Sequence, residues 1–427
     1  MEVNHFSFTK VDLDLLDKSN QLDRQFQKEG LVYNDPDTTK YLARVGRAVL
    51  PDAPGIQNVH WQFFVLRDPV PNAFTLPNGS IYVDTGLLAV LENEAQLAAV
   101  LAHEETHVLD RHGYLENRNI RNKAEAATIL SGAVSIGGLA GGIGTGASIM
   151  VQLALPSILA SSINGYGREL EQEADLRGLQ AMTHANYAPA EMKRLFDLLQ
   201  QDHDVNLSKG SYYKDHPKLK DRGEYVAKQI ASMPASTDSP IIEADRFLIE
   251  TESAVRHDAE LEIRAGRART AVWTMERIVK RDDKLADNFY ILGESYRGLG
   301  PRTPEPKPEE LTNTGKDEAR KMLSRMTPQE YEASLLKAPG GQQALEFNQQ
   351  QAENSYKKAL DLYPDMATPH RGLGFLYESE HKSGQSIEEF NKYLELAPAA
   401  MDAPQIRRRL DALAKGSTTT SQQHSEK

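Results

Sequence analysis

Five consecutive residues, His103-Glu104-Glu105-Thr106-His107, carry the most specific chemistry in the chain. On a helix, histidines four apart lie one turn above the other on one face, so both imidazoles reach a single metal ion. Glu104 is then placed to reach a water on that metal. This is the H-E-x-x-H pattern of zinc peptidases. A buried pair of this kind without a metal would leave several polar groups unpaired, which is costly. Two histidines and a water leave zinc one ligand short of tetrahedral. The best source of that ligand is Glu169-Leu170-Glu171-Gln172-Glu173-Ala174-Asp175. Glu171 and Asp175 share a helix face, so one carboxylate can bind metal while the other orients a ligating imidazole through its free N–H. The blander reading is an acidic, solvent-facing turn. Tyr166, Leu170, Ala174 and Leu176 make this helix partly apolar and argue against it.

The elements that must position these groups are readable. A helix is predicted over 93–112, with Asn93 as cap, Glu94 in the first turn and Gln96 at the capping-box position. Leu97, Val100, Leu101, Val108 and Leu109 repeat at helical spacing, and Gly113 is the expected stop. Asp110 and His112 lie near the helix end and receive no catalytic role. Ahead of the helix come strand signals at Trp61–Leu66 and Ser80–Val83. Between them lies a short strand over Asn72, Ala73, Phe74, Thr75 and Leu76, closed by the turn triplet Pro77-Asn78-Gly79. One edge of such a sheet can accept a substrate backbone as an added strand, and the 72–76 segment is the candidate.

The remaining composition bounds partners rather than chemistry. The chain has 427 residues, 26% charged and 40% hydrophobic, room for two or three domains. A net charge of −12 argues against a nucleic-acid partner, since phosphate binding needs clustered Lys and Arg. There is no cysteine, so neither disulfides nor thiolate ligands arise. The opening residues, MEVNHFSFTK, lack the basic start and apolar run of a signal peptide; read literally, they leave a cytoplasmic placement open.

Helical, polar sequence fills the first 55 residues, with Leu13 and Leu16 as one packing pair and Leu42, Val45 and Val49 as a second set. Residues 126–167 contain no charged side chain and many glycines. They read as a membrane hairpin or as a protein-packed or interfacial hairpin. Each arm has fewer than about 20 apolar residues, which favours the second reading and leaves a peripheral membrane contact. From about residue 243 the chain is helical and repetitive. Leu373-Gly374, Tyr377, Phe390 and Pro398 fall where a tetratricopeptide repeat of roughly 34 residues places its Leu-Gly, Tyr, Phe and Pro. Leu292-Gly293 and Tyr296 mark another first helix, whose partner resumes at Ala352, Tyr356, Ala359 and Pro364 after an insertion over 300–345. Ala271, Met275 and Ile278 mark an earlier second helix, with a degenerate partner near Ala259. A generic helical bundle is the alternative. The polar tail, 416–427, is expected to be disordered.

These residues resemble the family of integral-membrane CAAX prenyl proteases, HtpX heat-shock proteases and their soluble relatives. That family pairs H-E-x-x-H with a downstream E-x-x-A-D after an arginine, matched here by Glu171 to Asp175 after Arg168. The segment Asn72–Gly79, running on to Gly86-Leu87-Leu88, and His216-Pro217 with Arg222 also match. The likeness covers roughly residues 60–225. It implies zinc, one ion per chain, held by His103, His107 and Glu171, with Glu104 as catalytic base and Asp175 behind a ligand. It also implies His216 or Arg222 as an oxyanion donor or, for His216, a latch over the metal. Carboxy-terminal repeats narrow the resemblance to the periplasmic, BepA-like type and hence to the cell envelope.

The expected architecture is α+β, mainly α. A gluzincin-like metallopeptidase domain with a small β-sheet (1–240) precedes an α-helical tetratricopeptide-repeat domain (243–415). The expected function is zinc-dependent endopeptidase action on unfolded or misassembled polypeptide, with the repeats binding client or a partner complex. The rival is a repeat-based adaptor or chaperone with a latched or vestigial metal site. A membrane-embedded prenyl-protein protease is disfavoured because the chain has no multi-span hydrophobic pattern.

Overall fold

The computed structural model describes residues 9–51, 59–119, 166–205, 219–234, 239–304 and 325–424. It divides into two compact units, Met1–Asp258 and Ala259–Lys427.

The first unit opens with α1 (Lys10–Lys28), where Thr9 and Asp12 close a capping box. Its buried stripe is Leu15, Ser19, Leu22 and Phe26, whereas Leu13 is 56% exposed. The expected Leu13/Leu16 pair is thus corrected. Two leucines three apart fit more than one face, and the longer stripe wins because it alone supplies a continuous row against the sheet. In α2 (Pro36–Val49), Asp35 caps, Pro36 opens the first turn, and Leu42, Val45 and Val49 are buried as expected.

The sheet has three strands, β1 (Gln62–Leu66), β2 (Ala73–Thr75) and β3 (Ser80–Asp84), in the order β1-β3-β2. β3 runs parallel to β1 and antiparallel to β2. The turn between β2 and β3 uses Gly79 at φ 93, a conformation open to glycine. Tyr82 on β3 stacks between Phe64 and Phe74, and Phe26 of α1 meets it edge-on at 5.2 Å. Asp23 of α1 accepts hydrogen bonds from Asn78, Ser80 and Tyr82, which pins α1 to that turn.

A short α3 (Thr85–Val90) leads to α4 (Glu94–Leu109), buried over almost its whole circumference. Asn93 caps it by accepting from the Gln96 N–H. The Gln96 side chain reaches one residue further back than a capping box would, to the Glu92 N–H. Glu94 ties neighbouring elements together, accepting from Tyr41, Arg44 and Tyr187. The helix ends at Leu109, short of the expected 112. Arg111 turns the chain with φ 61, and Gly113, the expected stop, lies inside a new helical stretch over 112–119. Packing decides this: the new stretch returns Tyr114 to the sheet turn, where its hydroxyl donates to the Pro77 carbonyl.

The first unit continues with α5 (Arg168–His184), α6 (Ala190–Val205), α7 (Leu219–Ala231) and α8 (Ala244–Arg264). The division between units falls within α8, at Asp258–Ala259. The start of α8 is held by the first unit. Ser253 donates to Asp35, Thr38 donates to the Glu250 carbonyl, and His257 stacks on Tyr33 at 5.0 Å.

The second unit is helical: α9 (Ala268–Arg281), α10 (Ala286–Leu299), α11 (Pro328–Lys337), α12 (Gly341–Leu362), α13 (Ala367–Ser379), α14 (Ser383–Leu396) and α15 (Ala403–His424). α9 packs on α10, α10 on α12, α12 on α13, α13 on α14 and α14 on α15. The last helix, α15, runs on into the polar tail as far as His424. Its Gln residues are good helix formers, its Ser and Thr residues weaker ones but not breakers, and extending an existing helix avoids the cost of a new nucleus. Of the expected insertion, 305–324 lies outside the described residues, as does the glycine-rich stretch up to 165. Among the described residues, no helix is long and apolar enough to cross a membrane.

Candidate metal centre

Two helices build the site, and a glycine lets them meet. Gly178 of α5 packs against the α4 backbone, so close that a Cβ there would stand 3.0 Å from the His103 nitrogen. Glu171 and Asp175, seven and three residues before Gly178 along the same buried face, are thereby brought over the two histidines.

The Nε2 atoms of His103 and His107 lie 3.0 Å apart. Glu171 presents Oε2 at 3.6 Å to the first and Oε1 at 3.7 Å to the second. These three donors lie within 4.8 Å of one another, all buried. Behind them, His103 Nδ1 is 2.9 Å from Asp175 Oδ1. Arg222 of α7 grips Asp175 with two bonds, Nε to Oδ2 at 2.8 Å and Nη2 to Oδ1 at 2.7 Å, and Tyr225 donates to the same carboxylate. The third guanidinium nitrogen of Arg222 is 3.2 Å from Glu171 Oε2. Tyr166 donates its backbone N–H to Glu171 and stacks on the His107 ring at 4.2 Å.

The electrostatics follow from burial and pairing. Burial alone would raise the Asp175 pKa, but Arg222 and His103 hold it below the usual carboxylate value. Burial opposes a charge on His103, yet Asp175 outweighs it and raises the affinity for a proton. Burial pushes Glu104 up to about 7. Glu105 faces the other way, with Oε1 where a Cβ on Gly46 of α2 would meet it, so it is no part of the site.

The donor set fits a divalent cation. Asp175 Oδ1, 2.9 Å from Nδ1 of His103, favours a proton on that nitrogen and so a lone pair on Nε2, aimed at His107 Nε2 and flanked by a carboxylate. Two nitrogens and an oxygen converging in this way, with an orienting carboxylate behind, are the ligands a zinc-type ion takes.

Beside the donors, β2 lies at the sheet edge. Leu76 N–H donates to Ser80 and Asn72 C=O accepts from Asp84, so by alternation Ala73 and Thr75 turn their backbone groups away from β3. The opposite edge, β1, is covered by residues 31–33. A small pocket opens next to the start of β2, His103 and Glu104, and its apolar wall includes Leu87, Val100, Met192, Leu195, Phe196 and Leu199.

Of the sequence-derived residues, His103, Glu104, His107, Glu171, Asp175 and Arg222 come together, and Asn72 and Ala73 border the same cavity. Arg222 is committed to Asp175 and Glu171. His216 lies outside the described residues. Sequence reasoning missed Tyr166, Tyr225 and His112, whose Nδ1 is 2.8 Å from His107 Nδ1. Tyr225 meets Asp175, and the Tyr166 ring meets His107, across 50 residues or more, where spacing carries no signal.

The converging donors beside a buried glutamate are of the kind metallopeptidases use. Residues 36–229, within the first unit, match the model of Peptidase family M48. The chain is 31% identical over 185 residues to the mitochondrial metalloendopeptidase OMA1 of Schizosaccharomyces pombe, covering 43% of this chain and 51% of that protein. It is 27% identical over 187 residues to the beta-barrel assembly-enhancing protease of Escherichia coli, covering 41% and 35%. Similarity to the OMA1 of Saccharomyces cerevisiae is 29% over 220 residues, covering 48% and 59%. The chain thus spans between about a third and three-fifths of the length of these relatives. Together the matches support a metalloendopeptidase.

Proposed function

We propose that this chain is a zinc-dependent endopeptidase that hydrolyses peptide bonds of unfolded or misassembled protein in quality control of the cell envelope. The observation that carries it is the convergence of His103, His107 and Glu171 beside Glu104, next to a pocket bordered by the edge strand β2. His103 and His107 would hold the ion through Nε2, and Glu171 would complete the set. Bound zinc would acidify a water and polarise the scissile carbonyl. Glu104 takes the proton of the attacking water and passes it to the leaving amine nitrogen. Asp175, clamped by Arg222, keeps the His103 proton on Nδ1 and its lone pair on the ion. Substrate backbone pairs with Ala73 and Thr75 as an added strand, and the cavity wall receives an apolar side chain. The helix pairs of the second unit act as tetratricopeptide repeats that recruit client or a partner complex, supported by the Leu-Gly/Tyr phase and by the successive packing of α12, α13 and α14.

Incubating the purified chain with casein tests the reading. Cleavage is expected, is lost with a chelator and returns with zinc. The Glu104→Gln variant should bind zinc normally and lose at least about 100-fold in rate. Cleavage undiminished by chelator, or by Glu104→Gln, would refute it.

A further inference from the structure

His112 and Glu173, outside the ligand set, stand directly behind His107. On an unbroken helix, position 112 would lie roughly 140° around the axis from position 107. The left-handed turn at Arg111 returns it, and His112 ends buried with Nδ1 2.8 Å from His107 Nδ1. Only one proton fits between two nitrogens at that distance, so one ring donates and the other accepts.

Which does which follows from the site. When His107 gives its Nε2 lone pair to a cation, its single proton sits on Nδ1. That N–H donates to His112, whose Nδ1 is therefore bare and whose own proton is on Nε2. Glu173 Oε2 lies 3.6 Å from this Nε2, a charge that favours a proton there. The assignment also bears on the second cluster of donors, Asp110, His112 and Glu173, which come within 4.8 Å of one another. His112 keeps no lone pair for another ion, and Asp110 is paired with Arg177.

We propose that His112 is a positioning residue: its bare Nδ1 accepts from His107 and holds that ring in the tautomer and orientation that bind the metal, with Glu173 favouring the proton on the far nitrogen. This rests on the reading of His107 as a metal ligand. The group Asp110–His112–Glu173 is accordingly a support of the metal centre and not a second ion site.

Zinc affinity of the full chain, read by competition with a chromophoric chelator, tests it. His112→Leu should bind zinc about 10- to 100-fold more weakly. His112→Asn, whose side-chain oxygen can accept where Nδ1 did, should recover most of that loss, and Glu173→Gln should lose less than His112→Leu. Wild-type affinity in His112→Leu would overturn the proposal, as would a loss in His112→Asn equal to that of His112→Leu. Wild-type protein that binds no zinc, or His107→Ala that binds it fully, would instead overturn the ligand reading beneath it. A measurement without variants stands beside these: two-bond ¹⁵N–¹H correlations of the histidine rings in the zinc-loaded wild type. They should show His112 protonated on Nε2 alone, and a proton on its Nδ1 would sink the proposal whatever the variants do.

Discussion

Glu171 shows how far a single residue can be read. Spacing alone left several carboxylates between 169 and 175 as candidates. Glu171 is the one that lies 3.6–3.7 Å from both Nε2 atoms, while Asp175 sits behind His103. Removing each should therefore fail differently. Glu171→Ala should lose zinc, read as metal content after dialysis; full occupancy in that variant would remove it from the ligand set. Asp175→Asn should weaken zinc about 10- to 100-fold while retaining some, because a neutral amide orients His103 less firmly. It also leaves Arg222 facing an uncharged partner in a buried setting.

Elements decide whether those residues meet. Replacing a mid-helix glycine with alanine usually stabilises by up to about 1 kcal/mol. At Gly178 the sign should reverse, because the new Cβ would press on the α4 backbone at 3.0 Å, where nothing flexible can give way. Gly178→Ala is expected to cost about 1–3 kcal/mol by denaturant titration and to weaken zinc binding as α4 and α5 separate. A gain in stability would show that the two helices are not in contact there. A second element-level test lies at the end of β3. Asp84 is fully buried, both its oxygens lack hydrogen-bond partners, and burial with Asp68 and Asp258 nearby raises its pKa well above the usual value. A raised acid pKa means the folded state holds the proton more tightly. The wild type therefore loses stability as pH rises from the unfolded value, about 4, through the folded one. Asp84→Asn should raise the melting temperature at neutral pH, with the gain shrinking toward pH 4. A variant no more stable than wild type at pH 7 would disprove this.

At the scale of the molecule, the second unit repeats one packing device. A Cβ on Gly293 would stand 2.6 Å from the Tyr356 ring, and one on Gly374 would stand 2.5 Å from Phe390. Each glycine lets one helix of a pair accept an aromatic ring of the other. Gly374→Ala is expected to cost about 1–3 kcal/mol in the second unit, followed by urea unfolding. Zinc binding by the first unit should be unchanged in the same variant, and a parallel loss of metal would contradict the division of labour.

Local periodicity was enough to place His103 and His107 on one face of one helix and to cap that helix at Asn93. These features depend on residues a few positions apart, where backbone geometry dictates the outcome. The choice of Glu171 as third donor, the clamp of Arg222 on Asp175, the open edge at β2 and the return of His112 to His107 belong to tertiary structure. Each joins separate elements or needs a break in a helix that periodicity continues. What settles such pairings is which faces pack closely, as at Gly178, and a linear chain does not carry that distance.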